Sequence, residues 1–487
     1  MNKSNHNLKK NFLYQVLYNF ITLALPLVVT PFLSRALLET ALGEFTYSRS
    51  IASYFVVFSM MGIVKYGQRV ISQSSDNNDE LRKSFWSLFS IHVVFSLIGF
   101  FSYILFVSFF VRIEQPLFWA QAIYVASALF DVTWLFYGLE NFKSVVSCNA
   151  IIKVIEAIIY IFLIKAPEDI MLYAVVNCFT FLISQIALFL NVVIIIKPIK
   201  VSYKECLIHF KPLIIFAIAT VGITLYTVFD TTLLGLFSSK SNVAFYEYSN
   251  RIVRIPLMIA SIIGTVLYPR ACKLSAQKQD LEQIKYMRVS IIIVSLVGSA
   301  SFWGLLLVAE PLAGIYFGEN FIKCGKYIVA LSPLVYIIGL GDIIRTQYMI
   351  PNGMDKEYTI GILINAVANI LISTALILNF NSELQVYGAI IGTLAAESIG
   401  TIYQLIMCRK KFRIKEIIKT TIFSFLIGAI MYVILRLVVA MLTWSIVSLM
   451  FVVATGAVIF VLLTILYLRG FEKDIWTIFR IKREEDK

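Results

Sequence analysis

Charge is scarce in this chain. Of its 487 residues only 15% are Asp, Glu, Lys or Arg, 59% are hydrophobic, and the mean hydropathy is +0.83. Those values lie far outside the range of soluble globular domains. Histidine is scarcer still: His6, His92 and His209 form no cluster, and no HExxH zinc motif is present. The six cysteines stand apart at 148, 178, 206, 272, 324 and 408, so neither a disulfide framework nor a zinc site is suggested. There is no GxxxxGK[ST] phosphate loop, and the chain is not expected to hydrolyse nucleotide by itself. A GxSxG nucleophile elbow is missing too. A membrane glycosyltransferase or polymerase would carry a large outer loop bearing catalytic groups, whereas the polar stretches here are short. We therefore expect no enzymatic activity, no cofactor and no metal.

What the chain has is apolar length. A membrane-spanning helix needs roughly 20 predominantly apolar residues. About fourteen such stretches are present, from 12–33 and 45–65 through 246–268 to 417–441 and 445–468. The first lacks a small-residue cleavage site and is expected to be retained as a helix. With the N-terminus inside, most Lys and Arg residues fall in segments on that side, the richest being 197–211, 270–288 and "RKKFRIKEIIK" at 409–419. Positive loops are held in the cytoplasm, so both ends are expected there. The net charge of +13 follows from this asymmetry and suits anionic headgroups rather than nucleic acid.

The apolar runs repeat. "FTYSRSI" at 45–51 resembles "YEYSNRI" at 246–252, matching Tyr47 to Tyr248, Ser48 to Ser249 and Ile51 to Ile252 at one separation, which also carries Arg69 onto Arg270. Later, Asp131, Tyr137 and Asn141 match Asp342, Tyr348 and Asn352 at a slightly larger one. The implied unit is six helices, an even number, so both copies enter the membrane from the same side. The expected fold is all-α and integral to the membrane: two six-helix lobes, 1–200 and 201–412, related by a pseudo-two-fold axis along the membrane normal, with helices thirteen and fourteen and a tail at 413–487. In such transporters the substrate path lies between the repeats.

Charges inside the spans are costly, about 2.5 to 3.5 kcal/mol each at the bilayer centre on insertion scales. Lys153 with Glu156, Glu247 with Arg251, and Asp342 with Arg345 stand at helical spacing from an opposite charge, and mutual neutralisation is as good an account of them as function. Asp131, Asp230 and Glu397 complete the interior acids and are candidates, with Glu247 and Asp342, for gating or ion coupling. At about 1.5 Å of rise per residue, Asp230 and Arg251 fall at similar depth, in the outer half. Arg49 occupies the matching depth in helix two, and Arg49 and Arg254 lack obvious partners. These two lead the candidates for an anionic substrate, because a guanidinium stays charged when desolvated and meets phosphate or carboxylate with a planar fork. Arg251, Lys153 and Arg345 join them, with Arg69 and Arg270 at the inner ends. Asp131 is expected to pin the inner end of helix four, with a gate residue as the alternative. Pro26 and Pro31 are expected to kink helix one.

The ordered segments "TPFLSRAL" (30–37), "GEFTYSRSIASYF" (43–55), "GIVKYGQR" (62–69), "FDVTWLFYGLENFK" (130–143), "QYMIPNGMDKEYTIGILINAVANI" (347–370) and "YGAIIGTLAAE" (387–397) resemble the O-antigen-type polysaccharide repeat-unit flippases. These belong to the multidrug/oligosaccharidyl-lipid/polysaccharide exporter superfamily. The resemblance runs from about residue 10 to 410, with "DVTWLFYGLENFK" the most specific segment. One departure is "LETALGEF" after "SRAL", where members usually place a Gly-Pro turn. The resemblance implies lobes enclosing a V-shaped cavity lined by basic and aromatic residues, in a bacterial inner-membrane protein of lipopolysaccharide and O-antigen assembly. The implied substrate is an oligosaccharide joined by a diphosphate to a polyisoprenoid lipid, moved from the cytoplasmic to the outer leaflet by alternating access. A coupling ion and the polymerase of the same pathway are the further partners it implies. The alternative is an exporter of small organic cations on the same fold, which would use an acidic cavity; Asp230, Glu247 and Glu397 keep it open.

Overall fold

In a bilayer no water satisfies backbone polar groups, so a spanning chain must be helical or form a closed barrel. A computed structural model describes residues 2–113, 115–409, 411 and 414–471, with side chains from residue 25 onward except at 219, 223, 225, 226, 261, 265, 266, 269 and 471. The expected cytoplasmic tail beyond 471, and His6, lie outside the described residues and side chains. All elements are helical, and no strand occurs among the described residues. In chain order they are α1 (Asn2–Met60), α2 (Ile63–Ser74), α3 (Asn78–Phe110), α4 (Gln115–Ser127), α5 (Thr133–Gly138), α6 (Phe142–Leu163), α7 (Ile170–Ile195), α8 (Tyr203–Phe237), α9 (Lys240–Ala276) and α10 (Asp280–Phe317). They continue with α11 (Cys324–Leu331), α12 (Leu334–Ile344), α13 (Asp355–Asn379), α14 (Gln385–Cys408), α15 (Ile414–Val439) and α16 (Ile446–Phe471).

Twelve helices among the described residues are long and apolar enough to cross a membrane. Sequence patterning ends helix one at 33 and starts helix two at 45. The backbone instead stays helical across that interval except at Leu38, with φ 60 and ψ 175. Pro26 and Pro31 both sit inside α1, and the Pro31 carbonyl accepts hydrogen bonds from Ser34 Oγ and the Arg35 guanidinium, each at 3.3 Å. The outer surface is apolar: Phe109, Phe110 and Leu437 are 72%, 76% and 70% exposed. Exposure on that scale suits lipid and not water. The seams are lined by small residues, as helices packing in lipid require. Ser48, Ser249, Ser290 and Ser373 are fully buried, and at Gly392 of α14 a Cβ would come within 2.0 Å of Ser373 Oγ on α13.

Packing divides the chain into two units, Met1–Ala244 and Phe245–Lys487, whereas the repeat divides it at 200/201. The difference is α8, which packs on α1, α2 and α3 in the first unit. That unit has one core around Ile63, Phe85, Trp134 and Phe136, and a second around Ala52, Tyr103 and Val125. The start of α9 also meets α1: Thr40 Oγ1 lies 3.0 Å from Ser241 Oγ, between positions that are the repeat's own 201 residues apart. In the second unit α10 packs against α11, α12, α15 and α16, and α13 pairs with α14.

Between α1 and α2 the backbone turns left-handed at Met61 (φ 43) and Gly62 (φ 71). A Cβ on Gly62 would stand 2.5 Å from the Ala217 amide nitrogen of α8. Gly62→Ala therefore meets both an unfavourable φ and a rigid backbone, and is expected to cost about 2 kcal/mol or more. Thermal unfolding of the purified protein measures this, and an unchanged midpoint would show that Gly62 does not set the break.

Candidate functional site

In the first unit the interior charges gather around α1, α4, α6 and α7. Arg49 of α1 lies over the Tyr124 ring, 3.1 Å from its centroid, and 4.7 Å from that of Phe181. Its Nη1 donates to Gln121 Oε1 at 3.1 Å and reaches Cys178 Sγ at 3.9 Å. Gln121 is in turn fixed by Ser48 Oγ at 3.4 Å and the Cys178 thiol at 3.5 Å. Every partner is neutral, and the half-buried guanidinium sits over an aromatic ring, a placement that favours cation–π attraction. Phe181 is shared, since Lys153 Nζ stands 4.8 Å from its centroid. Lys153 donates to Glu156 Oε2 at 2.7 Å, while Glu156 Oε1 accepts from the Tyr160 hydroxyl at 2.7 Å and Asn177 Nδ2 at 2.8 Å. A carboxylate only 3% exposed is thereby met by one cation and two neutral donors.

Asp131 occupies a break. After α4 a 3₁₀ turn covers Ala128–Phe130, Asp131 is extended at φ −74 and ψ 102, and α5 restarts at Thr133. Its Oδ1 accepts from the Thr133 amide at 3.0 Å and the Thr133 hydroxyl at 2.6 Å, and its carbonyl accepts from Trp134 Nε1 at 3.1 Å. The side chain thus satisfies helix-start donors that the break leaves over. Asp230 is buried on α8, close enough to Tyr54 to act on it electrostatically. The Tyr54 hydroxyl meets Thr232 Oγ1 at 3.1 Å.

In the second unit Arg251 Nε donates to Glu247 Oε1 at 3.2 Å, and its guanidinium lies 4.7 Å from the Tyr248 centroid. Arg345 is ion-paired with Asp342 one turn earlier. Here the helix does not break as it does at Asp131. α12 passes into a π-helical turn over Arg345–Met349, in which the Ile350 amide bonds to the Arg345 carbonyl at 3.0 Å. Gln283 Nε2 caps the Gln347 carbonyl in that turn at 2.8 Å, and Ser290 bonds its side chain. Glu397 is buried on α14, accepts from Asn365 Nδ2 at 3.1 Å, and lies within electrostatic reach of Arg345 and Asp342. Arg254 is exposed and has no ion-pair partner among the described residues. Arg69 and Arg270 are exposed as well, the latter 5.4 Å from the Tyr286 centroid.

Residues 8–275 match the family described as polysaccharide biosynthesis protein. The chain belongs to this family. Family relatives include a protein named as an O-antigen transporter of Escherichia coli (strain K12), 25% identical over 84% of this chain and 98% of its own length. A protein named as a low-salt glycan biosynthesis flippase of Haloferax volcanii is 22% identical over 55% of this chain and 56% of its own. Among solved structures, the lipid II flippase MurJ in an inward closed conformation superposes with a TM-score of 0.73 at 16% identity, covering 94% of this chain and 99% of that one. An inward-facing multidrug resistance MATE transporter gives 0.60 at 12% identity, over 83% and 96%. These likenesses are of fold.

Against the sequence analysis of this family member, the pairs expected from helical spacing are all formed: Lys153–Glu156, Glu247–Arg251 and Asp342–Arg345. Arg49, expected to lack an obvious partner, has no carboxylate partner among the described residues and is held by Gln121, Cys178, Tyr124 and Phe181. They are neutral or aromatic and come from α4 and α7, so neither charge nor helical spacing marks them. His92, Gln121, Tyr124, Asn177 and Phe181 carry no sequence signal for the same reason.

Proposed function

We propose that this membrane protein is a flippase that carries a polyisoprenyl-diphosphate-linked oligosaccharide from the cytoplasmic to the outer leaflet of a bacterial inner membrane, for O-antigen or other surface polysaccharide. The observation that carries the proposal is the Arg49 guanidinium, half-buried, placed over the Tyr124 ring and without a carboxylate partner among the described residues, in a chain whose relatives are named as O-antigen transporter and glycan flippase. A diphosphate needs a cation that stays charged away from water, and sugar rings suit aromatic faces. Arg49 and Arg254 take the leading roles. Arg251, Lys153 and Arg345 would first have to leave their own carboxylates, which makes Glu247, Glu156 and Asp342 competitors of an anionic substrate. Arg69 and Arg270 serve its arrival, and Asp131, Asp230 and Glu397 are left for gating or ion coupling. In this proposal both termini are cytoplasmic, the repeats alternate in access, and the pathway's polymerase receives the product.

The test is deletion in the native cell followed by mass spectrometry of inner-membrane lipids. A diphosphate-linked oligosaccharide should accumulate facing the cytoplasm and clear when wild type is restored. Arg49→Ala loses a charge-assisted contact of about 1.5 to 3 kcal/mol, and so should slow clearance on the order of tenfold to a hundredfold at unchanged protein level. No accumulation, with a rise in sensitivity to cationic compounds, would replace this proposal with the cation exporter.

A further inference from the structure

His92, in α3, is 1% exposed, and two helices beside it break. α1 ends at Met60, and the left-handed pair Met61 and Gly62 interrupts the ladder. Among the described residues no amide across that break bonds the Ser59 carbonyl. α4 ends at Ser127, and the 3₁₀ turn and Asp131 interrupt the path to α5. His92 faces both. Its Nε2 lies 2.8 Å from the Ala128 carbonyl, which only accepts, so Nε2 carries hydrogen. Its Nδ1 is buried and has no hydrogen-bond partner. The Ser59 carbonyl and the Asp131 carboxylate both lie within electrostatic reach of the ring.

The neutral tautomer therefore leaves the buried Nδ1 lone pair without a donor, while an imidazolium there, against the cost of its burial, would have the Ala128 and Ser59 carbonyls and the Asp131 carboxylate within electrostatic reach. The charges support the same conclusion. With a neutral ring, Asp131 leaves a net negative charge at this place in the membrane, and a proton on His92 cancels it. Asp131 is, among the described residues, the charged side chain that acts on the ring. Among the described residues packed against this place, Lys65 and Arg69 on α2 are exposed, and His209 on α8 is engaged with the Tyr66 hydroxyl through its own Nδ1 at 2.9 Å.

We propose that His92 is a proton-binding site, in which one proton taken up at Nδ1 converts the ring into a clamp between the α1/α2 and α4/α5 breaks, and its loss releases them. Asp131 is the counter-ion, and its cap on Thr133 ties the charge to the start of α5. The site does not depend on which substrate the protein moves.

Three histidines make the test direct. Full-length protein labelled with ¹⁵N-histidine is placed in lipid nanodiscs and followed by NMR from about pH 5 to 9, the range in which an imidazole changes charge. The His92 signal is assigned as the one lost in His92→Gln. If that variant does not fold, it is the one that survives in a chain carrying His6→Gln and His209→Gln. His92 should pass from one protonated nitrogen to two as pH falls, and Asp131→Asn should move the midpoint down by on the order of one pH unit. Amide exchange at 58–63 and 128–133 should slow at least severalfold below the midpoint and not above it. A ring that keeps the single Nε2 proton throughout overturns the proposal, as does titration that leaves exchange at both breaks unaltered.

Discussion

Replacing Glu156 by leucine is expected to destabilise the first unit by about 3 kcal/mol, the lower end of the cost of breaking a buried ion pair. The carboxylate serves three donors, Lys153, Tyr160 and Asn177, and its loss strands all of them. The lower end applies because the Lys153 side chain is 34% exposed and can move its ammonium outward. Glu156→Gln keeps an acceptor for the two neutral donors and should cost about 1 kcal/mol, close to one ordinary hydrogen bond. Adding Lys153→Met to Glu156→Leu removes the stranded cation, so the double variant should lose clearly less than the sum of the singles. Reversible unfolding in mixed micelles measures the cycle. Strict additivity would mean that Lys153 and Glu156 are neighbours without energetic coupling.

Trp134→Ala should have an effect of similar size for a different reason. The indole is fully buried, stacks on Phe85 at 5.3 Å and 23°, and donates to the Asp131 carbonyl. Its ring fills the space above Gly67, where a Cβ would lie 2.6 Å from it. Truncation leaves a cavity at the seam of α2 and α5, and large-to-small changes of this kind cost about 3 to 5 kcal/mol. Within a bilayer the loss is mainly of packing contacts, since lipid is as apolar as the core, which favours about 3 kcal/mol. Trp134→Phe keeps the ring stack and loses the N–H donor, and should cost about 1 kcal/mol. Thermal unfolding monitored by size-exclusion fluorescence checks both. An alanine variant that melts with wild type would show that this core does not hold α5 in place.

The repeat shows where local pattern stops informing. Asp131 and Asp342 are equivalent in sequence, yet one caps a broken helix and the other pairs with Arg345 at the mouth of a π turn. The position equivalent to Arg345 is Trp134, so the first unit has no cation there and buries an indole instead. Each aspartate takes the donor its own unit supplies, and those donors differ.

That this chain is helical and spans a membrane, and which charges pair within a helix, could be read from the residues alone. These properties depend on apolar length and on spacing along one helix, both local to the chain. Packing between helices is what puts Arg49 on Tyr124 and Gln121, gives Glu156 three donors and turns His92 toward two helix breaks. Those contacts join helices far apart in the chain through neutral or aromatic side chains, and no periodicity records which faces will meet.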